Sequence, residues 1–222
     1  MLKDSKLTVV LGHYGCGKTN FSINLAVNLQ KKYGDAVIVD LDLVNPYFRS
    51  SDFCGVLDRY GIKLIAPVYA HTNLDIPSLP PEIYSIFDSE KGHVVIDVGG
   101  DDVGATALGR FARRINAADD LQVLYVINKF RPLSEKSDDC AELLAEIEQA
   151  SRIKATGIIN NSHLMGLTTA ADIEGSQEYA ETVAQKTGLA LAATAVRRDL
   201  ADKVNLKGDI YPIEIFVGTP WD

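Results

Sequence analysis

Gly12-His13-Tyr14-Gly15-Cys16-Gly17-Lys18-Thr19 is the stretch on which the reading of this chain turns. It satisfies the pattern G-x-x-x-x-G-K-[ST], and its flanks complete the pattern. Leu7-Thr8-Val9-Val10-Leu11 before it is short, apolar and β-branched, the composition of a buried parallel strand. After it, Phe21, Leu25 and Leu29, with Ile23, Ala26 and Val27 between, keep helical spacing up to a Lys31-Lys32-Tyr33-Gly34 stop. Strand, glycine-rich loop and helix make an anion cradle. Gly15 and Gly17 let backbone N–H groups turn inward around phosphate oxygens, and the helix N-terminus adds its partial positive charge. In such a loop Lys18 reaches the β- and γ-phosphates and the Thr19 hydroxyl ligates Mg²⁺. Gly12, His13, Tyr14, Cys16 and Asn20 belong to the same wrap around a nucleotide.

The chain has 222 residues, which predicts one nucleotide-binding domain over 1–222 with a continuous core. Hydrophobic content of 46% and charged content of 23% are ordinary for a globular protein. With 22 basic and 30 acidic residues the formal charge is −8, which speaks against a general nucleic-acid surface. Met1-Leu2-Lys3-Asp4-Ser5-Lys6 is polar, without the apolar core of a secretory signal. No stretch approaches the ~18 apolar residues of a membrane span. Cys16, Cys54 and Cys140 are scattered, without a C-x-x-C. A cytoplasmic protein without membrane contact is expected.

Apolar, β-branched runs recur along the chain. Residues 36–40, 62–66, 93–97, 121–127, 156–160 and 189–196 read as six further strands. Helical patterns fall at 81–87, 103–117, 137–150 and 176–186, the last closed by Gly188. Pro46 and the pair Tyr47-Phe48 make the segment after the second strand a loop, or a loop opening a short helix. Residues 68–81 are irregular, and 213–217 form either an edge strand or a packed extension. The alternation predicts an α/β fold with a mainly parallel sheet and helices on both faces. Ligands of such sheets sit at the carboxyl ends of the strands.

Carboxylates stand at those ends. Asp97 closes a strand that is apolar apart from His93, and Gly100 follows three residues later. Asp97 can hold the Mg²⁺ shell near Thr19, and the Gly100 N–H can approach a γ-phosphate, a link that breaks on hydrolysis. Simple capping of the next helix is the alternative for Asp97, and Asp101 and Asp102 are open to the same reading. Asp40 and Asp42 share one side of their strand. Asp42 is read as facing the metal or the attacking water, the other as a capping or solvated group.

Four patterns in chain order resemble one family: the phosphate loop at 12–19, Asp40-x-Asp42-x-x-x-Pro46, Asp97-x-x-Gly100, and Gly157-Ile158-Ile159-Asn160-Asn161. They are similar to the MinD/ParA/Mrp-type branch of P-loop NTPases, the CobQ/CobB/MinD/ParA nucleotide-binding domains. That branch includes the nitrogenase iron protein and dethiobiotin synthetase. The resemblance implies a P-loop NTPase fold, Mg-ATP binding and slow hydrolysis. It also implies that Asn161 hydrogen-bonds adenine and that Thr194-Ala195-Val196-Arg197-Arg198-Asp199, with Arg197, closes over the base. An Asn amide has the donor and acceptor that the N6/N7 edge of adenine needs. Asn128-Lys129 is a rival, since N-K-x-D reads guanine, but the fourth position is Arg131. ATP is therefore expected over GTP.

Departures from the family matter as much. Many members carry Lys-Gly-Gly after the first glycine, and that lysine reaches the partner subunit's phosphates in an ATP-bridged dimer. Here the positions are His13-Tyr14-Gly15, and His is the weaker cation at neutral pH. The chain reads as a divergent member lacking the signature lysine, its homodimer an open alternative. Cys16 is either a thiol acidified by Lys18 and the helix N-terminus or a small residue that fits. The leading expectation is a slow ATPase that acts as a regulatory or maturation switch for a protein partner. The alternative is an ATP-dependent small-molecule ligase or kinase of the dethiobiotin-synthetase type. Tyr47, Phe48 and Arg49, with Tyr69, His71 and Asp75, form either the acceptor or partner surface or part of the core. A redox carrier with a dimer-bridging cluster at Cys54 or Cys140 is a third reading.

Overall fold

β1 (Leu7–Gly12) is apolar on both faces, and the fold is built outward from it. The computed structural model describes residues 2–42, 50–66, 81–88, 92–100 and 102–216. After β1 come α1 (Lys18–Tyr33), β2 (Ala36–Leu41), α2 (Ser50–Tyr60), β3 (Lys63–Ile65), α3 (Glu82–Asp88) and β4 (His93–Val98). The chain continues through α4 (Asp102–Gly109), α5 (Ala112–Asn116), β5 (Leu121–Ile127), α6 (Ser137–Ser151) and β6 (Gly157–Asn160). It ends with α7 (Ala170–Glu174), α8 (Gln177–Thr187), β7 (Leu191–Arg197) and β8 (Ile210–Ile213). Among the described residues the sheet has eight strands in the order β3-β2-β4-β1-β5-β6-β7-β8. Every adjacent pair is parallel. The expected α/β architecture with helices on both faces is the one observed.

Strand alternation assigns the two faces. Val10, Ile38, Val95, Leu124 and Val126 pack with Phe21, Leu25 and Leu29 of α1 and Leu57 of α2. Val9, Leu11, Val39, Ile96 and Tyr125 pack with Ile83, Leu108, Ile115, Leu144 and Val183 from α3, α4, α5, α6 and α8 and with Phe111 from the turn between α4 and α5. Asp97 pairs in register with Val10 and Asp40, so those two carboxylates lie on the α1 side of the sheet.

Two local expectations change, and the open reading of the segment after the second strand falls to the helix. The helix read over 103–117 is two helices, α4 and α5. Arg152 reaches from the end of α6 and donates its guanidinium to the Gly109 carbonyl oxygen. Arg110 N–H and Phe111 N–H close instead on Ala107 O at 3.2 Å and Leu108 O at 2.9 Å, a tightened turn that ends α4. The segment after the second strand opens α2, eleven residues long. The polar stretch before α8 contains α7, started by a capping box between Thr169 and Asp172.

The last strand lies earlier than 213–217. β8 ends at Ile213 with Pro212 inside it, which an edge strand tolerates because one row of N–H groups needs no partner. Beyond it the chain is captured by α1. Asn24 donates from Nδ2 to Glu214 O (2.8 Å) and accepts Glu214 N–H at Oδ1 (2.8 Å). Asn20 donates to the same carbonyl (3.0 Å) and accepts Phe216 N–H (2.8 Å). Asn28 donates to the Tyr211 hydroxyl at 2.6 Å. Residues 20, 24 and 28 share one helical face, so the three amides form a ladder along the strap. Replacing the buried Asn24 by alanine removes the acceptor of Glu214 N–H and leaves Glu214 O with Asn20 Nδ2 alone. Asn24→Ala is expected to lower the unfolding free energy by about 1–3 kcal/mol in urea titration. The amides of Glu214 and Phe216 should exchange faster with solvent, and unchanged exchange would show that the ladder does not hold the strap.

Candidate functional site

The turn between β1 and α1 runs through three glycines at positive φ: Gly12 at 146°, Gly15 at 77° and Gly17 at 88°. Space as well as conformation excludes side chains there. A Cβ on Gly12 would run into the Val126 carbonyl and stand 2.9 Å from Cys16 Sγ. One on Gly17 would collide with Asn161 Nδ2 and stand 3.0 Å from His163 Nε2. Cys16 N–H closes the loop on His13 O at 3.3 Å, and Phe21 N–H starts the α1 ladder on Gly17 O at 3.1 Å. Lys18 is buried and its Nζ donates to His13 O at 3.0 Å, folding back over its own loop. The His13 ring donates from Nδ1 to Tyr14 O at 2.9 Å, and the Tyr14 side chain is exposed. Cys16 is fully buried. Burial pushes its thiol up and the Lys18 charge offsets this only in part, so it is the small residue that fits rather than an acidified thiol.

Gly100 stands hard against this loop. A Cβ there would collide with the Tyr14 backbone N and lie 2.7 Å from Lys18 Nζ. Asp97 is buried and accepts the Ser22 hydroxyl at 3.1 Å, one helical turn beyond Thr19. Asp40 Oδ1 accepts the Asp42 N–H at 2.9 Å, a side-chain turn that carries the buried Asp42 into the same cleft as Lys18 and Thr19. Pro46, Tyr47–Arg49, Tyr69, His71, Asp75 and Asp101 lie outside the described residues.

The cleft has a volume of about 290 Å³. Tyr14, Gly15, Gly17, Lys18, Thr19 and Asn20 form its floor, and Arg131, His163, Met165 and Ile215 its far wall. That wall escapes the sequence reading. Its parts come from three loops, and apart from Arg131 none falls within a recognised pattern. His163 Nδ1 accepts Met165 N–H at 3.1 Å, which puts the ring proton on Nε2, facing Gly17. Burial, helped by the Arg131 charge, pushes the His163 pKa down to about 4, so the imidazole is neutral at pH 7.

Asn161 is buried and its Nδ2 donates to Cys16 O at 2.8 Å, tying the end of β6 to the phosphate loop. Its Oδ1 is buried without a hydrogen-bond partner. Asn128 serves its own turn, with Oδ1 accepting Phe130 N–H at 3.0 Å, and Lys129 Nζ donates to Gly175 O at 2.8 Å. Asn20 borders the cleft, but its amide is engaged by the strap. Arg197 does not line the cleft. It pairs with Asp199 and donates to Met165 O (3.4 Å) and Gly166 O (3.2 Å), bracing the turn that presents Met165.

A glycine-rich turn, an ammonium and a guanidinium fit a nucleotide better than any apolar ligand, while Asn161 lies behind Gly17 and does not line the cleft. Thr19 and Asp42 fit Mg²⁺, which takes few protein ligands and keeps its waters. Among the described residues no group of three His, Cys, Asp or Glu side chains is placed to hold a metal, and no helix is long and apolar enough to cross a membrane.

No family model matches the chain, and no curated protein matches its sequence. Solved structures do resemble it. The signal recognition particle receptor FtsY of Elizabethkingia anophelis in complex with GDP has a TM-score of 0.52 at 16% identity, covering 88% of this chain and 58% of its own. Chloroplast FtsY of Physcomitrella patens reaches 0.57 at 16% identity, over 87% and 59%. FlhF complexed with GTP/Mg²⁺ gives 0.51 at 14%, over 84% and 64%. The chain thus spans about three-fifths of the length of these neighbours. At such identities the likeness establishes the fold, which is that of the P-loop NTPases.

Proposed function

We propose that this chain is a P-loop ATPase that binds Mg-ATP in the cleft, hydrolyses it slowly and uses the change as a switch for a protein partner. The observation that carries the reading is Gly100 packed against Tyr14 N and Lys18 Nζ. A γ-phosphate drawn to Lys18 must meet the backbone at residue 100. Occupancy of the phosphate site then sets the position of the segment after β4. Mg²⁺, held by Thr19 and Asp42 with Asp97 behind them, would neutralise phosphate charge. Asp42 would also orient the attacking water. The water oxygen bonds to the γ-phosphorus, the bond to the β–γ bridging oxygen breaks, and ADP, phosphate and a proton leave.

ATP is favoured over GTP by what stands at the base end, although FtsY and FlhF are described with GDP and GTP. Guanine recognition needs a carboxylate for N1 and N2. The fourth positions counted from Asn128 and Asn161 are Arg131 and Leu164. With Nδ2 of Asn161 committed to Cys16 O, the group left over is an acceptor, which suits the adenine amino group and not guanine O6. We read the chain as a divergent relative of the MinD/ParA/Mrp branch with His13 in the signature-lysine position. The ligase or kinase alternative rests on residues outside those described.

Lys18→Ala should weaken ATP binding by roughly 10- to 100-fold in calorimetry, the loss of a charge-assisted contact; equal binding would remove the loop from the site. Asp42→Ala should bind ATP within a few-fold of wild type while turnover falls by about 10² or more. Full turnover in that variant would exclude Asp42 from the chemistry. Turnover that rises when a small-molecule extract is added would replace the switch by the ligase or kinase.

A further inference from the structure

Arg131 is the charged group in the cleft wall that the fold leaves unsatisfied. It lies in the turn that follows β5. Its backbone is fixed there, with Arg131 N–H on Asn128 O at 3.2 Å and Ser134 N–H on Arg131 O at 2.9 Å. The side chain runs beside Gly15, with Nε, Cδ and Cζ at 3.7–3.9 Å from where a Gly15 Cβ would stand. Nε is buried and has no hydrogen-bond partner. Among the described residues no carboxylate forms an ion pair with this guanidinium. A half-buried cation with a buried, unpartnered Nε and no counter-ion is placed for an anion that arrives later. Its field already reaches the neighbouring imidazole, where it helps keep His163 neutral.

We infer that Arg131 is a catalytic residue of the ATPase, contributed by the chain to its own cleft; the inference rests on the ATP-hydrolysing reading above. Lys18 Nζ lies beside His13 O and Gly100, and Arg131 lies in the same cleft beside Gly15, the central glycine of the loop. The guanidinium closes on the oxygen that bridges the β- and γ-phosphates only as its bond to the γ-phosphorus breaks. As water adds to the γ-phosphorus and that bridging bond breaks, the electron pair stays on the oxygen of departing ADP. Arg131 holds this growing negative charge without giving up a proton. Because no protein carboxylate anchors it, the fork can follow the charge as it develops. Lys offers a single point charge there and cannot reproduce the planar fork.

The test compares wild type, Arg131→Ala, Arg131→Gln and Arg131→Lys in two measurements. One is ADP affinity by calorimetry with and without aluminium fluoride, which with ADP mimics the transferring phosphoryl group. The other is the single-turnover rate of ATP hydrolysis. ATP and ADP affinities of the variants should stay within about threefold of wild type, while the rate falls by roughly 10³. Aluminium fluoride should no longer tighten ADP binding. Arg131→Lys should recover less than about a tenth of the lost rate. Arg131→Gln keeps length and a polar head, and decides the matter if the alanine variant does not fold. Rates within threefold of wild type would overturn the proposal, as would ATP and ADP affinities falling in step with the rate. Normal ATP binding by Lys18→Ala would mark a different failure, that of the phosphate site itself.

Discussion

Backbone lies directly on backbone around the phosphate loop, and everything else in the site depends on that closeness. Gly12 meets the Val126 carbonyl of β5, Gly17 meets the Asn161 amide after β6, and Gly100 after β4 meets Tyr14. Each contact leaves no room for a Cβ. The loop is thereby gripped by three strand ends at once and closed on itself by Cys16 N–H to His13 O. A cradle held this way needs little reorganisation when an anion enters, which is where electrostatic catalysis draws its strength. The grip also explains why parallel β1 is central. Only a strand flanked by β4 and β5 could deliver the loop to both neighbours.

Charge inside the cleft runs against charge outside it. The chain carries a formal −8. The cleft nevertheless presents Lys18 and Arg131, and its His163 is kept neutral by burial and by Arg131 rather than competing as a third cation. Asp42 lines the same space. Asp97, one step further back, is tied to Ser22, one turn into α1 beyond Thr19. In a chain of net negative charge, two cations converging on one cleft suit a single compact anion there.

The phosphate half of the site was legible because its chemistry is written in consecutive residues. A glycine-rich turn needs positive φ at Gly15 and Gly17, and a strand and a helix announce themselves by periodicity on either side. Asp97 and Gly100 were legible for the same reason, as a strand end followed by a turn. The far wall was not. His163, Met165 and Ile215 meet only in space, and Arg131 stood in the sequence as a missing carboxylate rather than a present cation. The helix break at Gly109 was hidden likewise, because its cause, Arg152, sits more than forty residues downstream. Arg197 matched a family segment, yet its guanidinium is absorbed by Asp199 and the Met165 turn. A motif places a residue in a neighbourhood; only packing assigns the hydrogen bonds.

The asparagine ladder joins these two halves. Asn20 is two residues past Lys18 in α1, and its amide holds Glu214 and Phe216 on either side of Ile215. Ile215 in turn lines the cleft. A single helix thus presents Lys18 and Thr19 at its N-terminus and, through its next two turns, fixes a wall of the same cavity. Movement of α1 relative to the sheet would shift phosphate contacts and that wall together, since buried amide pairs such as Asn24–Glu214 resist being pulled apart one at a time. Residues 214–216, nearly two hundred positions from the phosphate loop, are in this sense part of it. Coupling of the cleft to the end of the chain needs no element beyond α1.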